Sequence, residues 1–505
     1  MGYYSCSYGK KEDPRLFSVY SPTNGEIYNS QIFPIDLQFN QSIGTLDEPI
    51  IIGNKVQQCS NLLRGASYLN SLVTLGQNMI SCNSLFYQCR NFNQPVIIPN
   101  SVIYCSSMFY YCSKYNQTIQ IPNKVVDCSG MFDQCQNFNQ PIIIPESVKI
   151  GRSMFSYCGN FNQPVTVLGT NIDATSMFSY CRNFDQSINF LNNCSNIDYM
   201  FQTCGNFTNG NNNEIMILPD VNTYTSIFDC CFNFNVPVVI PSDNNVNMSS
   251  TATGQSLFNR CQKFNQPFII PNNIKYCNYM FNGCSSLNQP ITLHNNIIGC
   301  SFMFAYCTNF NQPITLPESP SQYATFGSML TNSGFNQPLT IPSVGAFGAI
   351  IKNCVNFNQT ITILNTTCQD YQMFFYQCKS FNQPFTVPAS AKNCQNMFYG
   401  CTNLSQTITI GENVINTQNM FVSCPNLSEV YFKVNPSANV QHMFRGRPSS
   451  SSKRLNIFTN NCYKLTLAAS NILGTSVSWS RITEQSIIVG NYNTLYNIYI
   501  YNNYT

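Results

Sequence analysis

Charge is scarce in this chain. Only 9% of its 505 residues are Asp, Glu, Lys or Arg, and the net charge is +3. Nucleic-acid binding needs a concentrated basic surface, so the composition argues against that class. Histidine is rarer still: His294 and His442 are the two in the chain, far apart in sequence. Tryptophan occurs once, as Trp479. No apolar run approaches the length of a membrane span, so membrane insertion is not expected. The start, Met1-Gly2-Tyr3-Tyr4-Ser5-Cys6, lacks the basic stretch and long apolar core of a secretory signal. Release inside a virus particle by lysis is one route that needs no such signal. Also missing are a Gly-x-Ser-x-Gly elbow, a phosphate-cradling glycine loop, a Cys-x-x-Cys pair and a zinc-ribbon spacing. Acidic residues form no recurrent pair suited to proton transfer. No catalytic residue, metal or cofactor is therefore expected. Low charge does not mean disorder here, because 43% of residues are hydrophobic.

What is present is a repeat, and a repeat decides the fold before any local reading does. The string Met-Phe-x-x-Cys-x-x-Phe-Asn-Gln-Pro recurs along most of the chain. Its phenylalanine falls at Phe86, Phe109, Phe132, Phe155, Phe178 and Phe201, each 23 residues after the last. Longer units lead to Phe228 and Phe258, and the register resumes through Phe281 and Phe304. It is irregular at Leu330, Ile351 and Phe375, then regular at Phe398, Phe421 and Phe444, with a degenerate early unit at Leu63. About seventeen units are counted in this way. Segments such as Pro95-Val96-Ile97-Ile98-Pro99 and Pro313-Ile314-Thr315-Leu316-Pro317 are β-branched and bounded by proline, which predicts one brief strand per unit. The remainder, such as Cys105 to Cys112, returns the chain to the next strand and is long enough for a helical or 3₁₀ turn. One strand and one return per unit predict a solenoid with short parallel strands.

Stacked coils turn each recurring residue into a column with one task. Val96, Ile119, Ile142, Val165, Ile188, Ile291, Ile314, Ile361 and Ile408 are expected to face inward, with the Met-Phe pair and the later phenylalanine filling the core. The asparagine of Asn-Gln, at Asn93, Asn116, Asn139, Asn162, Asn265, Asn288, Asn311, Asn336, Asn358 and Asn382, is expected to form an amide ladder that satisfies buried backbone groups. Of 26 cysteines, one column runs from Cys89 to Cys424 and a second, four residues before the repeat phenylalanine, from Cys59 to Cys394. Gly151 and Ala174 replace cysteine in the second column, which favours small buried free thiols over disulfides or a metal.

Function is then sought where the repeat meets solvent. The outward strand position reads Ile97, Gln120, Ile143, Thr166, Asn189, Met216, Val239, Ile269, Thr292, Thr315, Thr340, Thr362, Thr386 and Thr409. These residues are the candidate contacts, with the irregular loops at 205–220 and 242–256 second. Residues 1–35 do not fit the repeat and are expected to cap the solenoid or attach it to an assembly. The solenoid itself is assigned to 36–445, and 446–505 to a β-rich, tyrosine-rich cap or contact segment with Tyr492, Tyr496, Tyr499 and Tyr501 as candidate contacts.

The unit Cys-x-x-Phe-Asn-Gln-Pro-Ile-x-Ile-Pro-x-x-Val-x-x-Cys-x-x-Met-Phe resembles the BspA-like (Treponema pallidum type) leucine-rich repeat, and its Met-Phe to Phe-Asn-Gln stretch is similar to the DUF285 surface-protein repeat. The likeness covers roughly 36–445, with departures at 202–258 and 318–350. It implies a right-handed leucine-rich-repeat-like solenoid and a role in adhesion or recognition. The expectation is a non-enzymatic virion protein, such as a phage tail fibre or receptor-binding protein. A BspA-like surface adhesin of a bacterium or protozoan is the alternative, and an intracellular scaffold the third. Partners would be a host-surface protein or glycan, or neighbouring virion proteins; a homo-oligomer is also compatible.

Overall fold

The computed structural model describes residues 50–54, 56–211, 214–241, 253–318, 325–343, 346–433, 438–440 and 442–444, together with the strands at 455–459, 487–488 and 496–500. The expected cap at 1–35 lies outside these residues, as do Tyr492, Tyr501 and most of the 242–256 loop. The chain forms two compact units: Met1–Ser249 with Leu257–Lys263, and Ser250–Ser256 with Phe264–Thr505. Both are built from the same coil, a β-solenoid of about 16 turns with parallel strands and almost no helix.

In the first unit the strands pair two by two. β1 (Ile50–Ile51) lies parallel to β2 (Val73–Thr74), β3 (Ile142–Ile144) to β4 (Val165–Val167), β5 (Ile172–Asp173) to β6 (Cys194–Asn196), and β7 (Met216–Ile217) to β8 (Val238–Val239). In the second unit β9 (Leu339–Ile341) pairs with β10 (Ile361–Ile363). A larger sheet follows, made of β11 (Phe385–Thr386), β12 (Ile408–Ile410), β13 (Glu429–Phe432), β14 (Leu455–Thr459), β15 (Ile487–Ile488) and β16 (Tyr496–Ile500). Its spatial order is β11-β12-β13-β14-β16-β15, and only the β15–β16 pair is antiparallel. The described strands of the C-terminal segment thus continue the sheet in parallel as far as β16, and the short β15 forms its antiparallel edge.

The return segment is where the coils are joined most regularly, and it is not helical. The 3₁₀ helix among the described residues, Leu191–Asn193, lies elsewhere in its coil. In the return, Leu85 donates to Cys82, Tyr87 to Ser84 and Cys89 to Phe86, closing successive turns. The alternate N–H groups cross to the next coil: Ser84 to Ser106 at 2.9 Å, Phe86 to Met108 at 2.8 Å and Gln88 to Tyr110 at 2.7 Å. This requires positive φ two residues before and two after the repeat phenylalanine, as at Ser107 (53°) and Tyr111 (58°) around Phe109. A third turn residue with positive φ marks a type II turn and interrupts a helix. Serine is frequent at the first of these positions, and Gly130 stands there in its coil, where its φ is 57°. Each non-glycine residue in that conformation costs about 1–2 kcal/mol, which the cross-coil hydrogen bonds offset.

Beneath this ladder two aromatic columns fill the core. In the first unit the repeat rings stack from Phe86 to Phe258 at centroid spacings between 5.2 and 5.8 Å. The second column, beginning Phe92–Tyr115–Phe138–Phe161, stacks within about 6 Å and leans on the first at 4.1–4.5 Å in coils such as those of Phe132 and Phe155. The asparagines form the expected ladder with a sharper division of labour. Asn139 N–H donates to Asn116 Oδ1 and Asn162 N–H to Asn139 Oδ1, both at 2.9 Å, while Gln140 Nε2 donates back to the Asn116 carbonyl at 3.2 Å. Asparagine accepts and the following glutamine donates. The second unit repeats this from Asn265 to Asn382, ending on Ser405. Replacing Asn139 by leucine leaves the Asn162 N–H without its acceptor. The expected cost is about 1–3 kcal/mol, read as a lower melting temperature and faster amide exchange in the coils around 139 and 162.

Candidate functional site

The sheet-face residues can now be placed. A strand alternates its faces, so the residue between two buried ones looks out. In the first unit Ile97 is 83% and Ile143 61% exposed, between neighbours at 5% or less. Gln120, Thr166 and Asn189 are exposed as expected, and the column also takes in Ile51 and Thr74. Met216 is a correction: it is buried at 4%, and Ile217 is the outward residue at 53%. The long unit before it shifts the register by one, which exchanges the two faces. In the second unit Ile269, Thr292, Thr315, Thr340, Thr362, Thr386 and Thr409 are all exposed. Thr340 pairs in register with Thr362, and Thr386 with Thr409.

Of the inward residues, Ile119, Ile188 and Ile361 are only half-buried, whereas the other six are buried. Beside the outward column runs a ridge of exposed prolines, Pro95, Pro141 and Pro164 in the first unit and Pro267, Pro290, Pro313, Pro338 and Pro384 in the second. The two ridges carry no charge. Of the C-terminal candidates, Tyr496 and Tyr499 lie on β16. Through β12, β13 and β14 the register links Thr409 to Tyr431, Phe458 and Tyr499, and Leu455 to Tyr496. Of the irregular loops, the described part of 205–220 is tied down: Asp185 accepts from the Thr208 and Gly210 N–H groups, and Asn209 is buried.

A second, partly exposed surface carries stacked tyrosines that the repeat pattern does not single out. On the return side of the first unit Tyr87 stacks on Tyr110 at 4.4 Å and Tyr157 on Tyr180 at 4.2 Å. Arg64 lies over Tyr87 and Arg90 over Tyr111. The signal is a tyrosine one or two residues after the repeat phenylalanine, as at Tyr87 and Tyr110 or Tyr157 and Tyr180. Between these pairs sits Asp133, whose burial raises its carboxyl to about 7. A group that binds its proton more tightly folded than unfolded stabilises the fold at low pH and loses that contribution as pH rises from about 4 towards 7. Asp133→Asn is therefore expected to raise the melting temperature at pH 8 and to leave it nearly unchanged at pH 4, in paired thermal melts.

The cysteines offer little chemistry. The 24 among the described residues are free, and all but Cys230 and Cys368 are buried. Along the main column thiols donate to the repeat carbonyl of the preceding coil, as Cys112 to Phe86 at 3.0 Å and Cys135 to Phe109 at 2.9 Å. The Leu330 unit, which lacks this cysteine, places Ser333 there, buried and 3.5 Å from Cys354. Burial pushes even Cys354 up to about 11 and Cys394 to about 12, so thiolates do not form near neutrality. Among the described residues no group of His, Cys, Asp or Glu is placed to hold a metal, and no helix is long and apolar enough to cross a membrane. An alkylating agent under native conditions is expected to label Cys230 and Cys368 and to spare the column cysteines until denaturant is added, as mapped by peptide mass spectrometry.

Comparison with known proteins gives one family. The profile described as "Mycoplasma protein of unknown function, DUF285" matches residues 30–144, 80–189, 106–214, 145–241, 222–341, 339–434 and 389–457. No curated protein matches the chain. Solved structures similar to the chain include the following three. The pneumococcal vaccine antigen PcpA is 13% identical, with TM-score 0.28 over 86% of this chain and 79% of that one. A leucine-rich repeat protein from Bacteroides ovatus is 13% identical, with TM-score 0.33 over 77% and 82%. A leucine-rich cell surface protein from Faecalibacterium prausnitzii is 15% identical, with TM-score 0.26 over 76% and 78%.

Proposed function

The chain belongs to the DUF285 family, whose description assigns no activity, and from that starting point we propose that it is a non-enzymatic recognition protein that contacts a partner through the outward strand face. The observation that carries this reading is the uncharged double ridge of strand residues and prolines. Almost every other recurring side chain has a packing or hydrogen-bonding task inside the coil. Thr315, Thr340, Thr362, Thr386 and Thr409 are exposed without needing to be there for the core. Thr340 beside Thr362 and Thr386 beside Thr409 set hydroxyls and methyls at strand spacing, about 4.8 Å, which offers both hydrogen bonds and apolar contact to a host-surface protein or glycan. The residues Ile97, Gln120, Ile143, Thr166, Asn189 and Thr292 extend the same kind of face within their own units.

Within this class the finer proposal is a receptor-binding or tail-fibre protein of a phage particle, with a BspA-like cell-surface adhesin as the competing member. Gene neighbourhood separates them: adjacent tail or baseplate genes support the first, and a cellular locus without them supports the second. The face itself is tested by saturable binding of the purified chain to candidate host cells. Thr315→Lys with Thr362→Lys places two charges on the ridge without touching the core. Binding is expected to weaken by at least about tenfold, with the melting temperature unchanged. Retained binding in that variant removes the strand face from the proposal.

A further inference from the structure

One place in the second unit departs from the coil-on-coil packing. Ile361 and Ile363 of β10 stand at inward positions, yet both are half-buried, while Leu339, Ile341, Ile408 and Ile410 at equivalent positions are 2% exposed or less. Between this coil and the next is a cleft of about 500 Å³. Its walls are Ile361, Ile363, Pro384, Phe385, Pro388 and Ala389, with Asn365, Thr366, Thr386 and Ser390 as the polar members. The two coils are held together on the return side, where Asn382 N–H donates to Asn358 Oδ1 at 2.9 Å and Asn353 N–H to the Tyr376 carbonyl at 2.7 Å. On the strand side they part: β10 pairs with β9 and β11 with β12, with no pairing of β10 to β11 among the described residues. The cleft is a wedge between two strand edges.

We propose that this wedge is a docking site for an extended, uncharged segment of a partner protein that lays a bulky apolar side chain against Ile361 and Ile363. Three features point to that occupant. The lining carries no charge, so a charged segment would lose its hydration with nothing in return. Core isoleucines left open to water gain from an apolar group of a size the cavity accepts. Facing strand edges recognise an extended backbone through its own amides. A glycan fits less well, because the one aromatic ring in the lining, Phe385, is buried and packs edge-on against Phe375 at 4.9 Å. The wedge shares Thr386 with the threonine ridge, but the cleft-filling variants lie off the ridge, so the two readings fail separately.

The probe is a displayed library of random heptapeptides, charged and uncharged, selected on the full chain, with the selected peptides measured by fluorescence polarisation. The expected outcome is peptides with bulky apolar residues at alternate positions and no net charge. Ala389→Trp, which fills the cleft from its exposed rim, is expected to weaken their binding by more than about tenfold, and bound peptide to slow amide exchange in 361–363 and 385–386. Thr366→Trp fills the same space from the opposite wall and replaces Ala389→Trp if that variant melts early. The proposal is overturned if no peptide binds above background, if the selected peptides are charged, or if they bind the filled variants as well as the parent chain.

Discussion

The coil stack depends on backbone hydrogen bonds that run from one coil to the next through the return segment. Every second N–H there leaves its own turn and finds the carbonyl of the following coil, as Phe86 finds Met108 and Phe109 finds Met131. The geometry is only available if two residues per coil adopt positive φ. That strain is tolerated because each strained residue sits between two satisfied neighbours, and because the same segment buries the Met-Phe pair. A solenoid of this kind has no single centre. Its stability is a sum over coils and the contacts between successive coils.

The other columns follow from that ladder. Return segments stacked about a strand spacing apart bring rings of successive coils face to face, so phenylalanine in one coil favours phenylalanine in the next. The turn leaves the repeat carbonyl with a spare lone pair inside an apolar layer, and a thiol is a donor small enough to reach it from the next coil. Cysteine serves as packing and as a weak donor, and Ser333 fills its place in the Leu330 unit with a buried hydroxyl that meets the Cys354 thiol and accepts from the Phe335 N–H. Asparagine works at the opposite corner, where the chain turns into the strand. The strand side is zipped only in places, and this lets a coil pair open at Ile361 while staying joined at Asn358 and Asn382.

Such an arrangement leaves function to the positions the stack does not use. The outward strand column, the tyrosine pairs on the return side and the wedge beside β10 are all surfaces of that kind. They differ in character: the first is uncharged and flat, the second aromatic and flanked by arginine, the third concave and apolar. A single repeat can therefore present several chemically distinct surfaces without altering its core.

The period, the inward columns, the asparagine ladder and the free-thiol reading were all legible in the amino-acid sequence, because a stacked repeat copies each side-chain environment from coil to coil and the copy shows as a recurring residue. Even the outward column could be read at most positions from alternation alone. Tertiary structure decided the rest. The return segment's turns depend on positive φ, and the residues that adopt it include tyrosine, glutamine and arginine, which carry no local mark of that conformation. The exchange of Met216 for Ile217 depends on where a long coil takes up its extra residues. The opening beside Ile361 is a matter of spacing between coils, and an isoleucine at an inward position looks the same in sequence whether the next coil covers it or not.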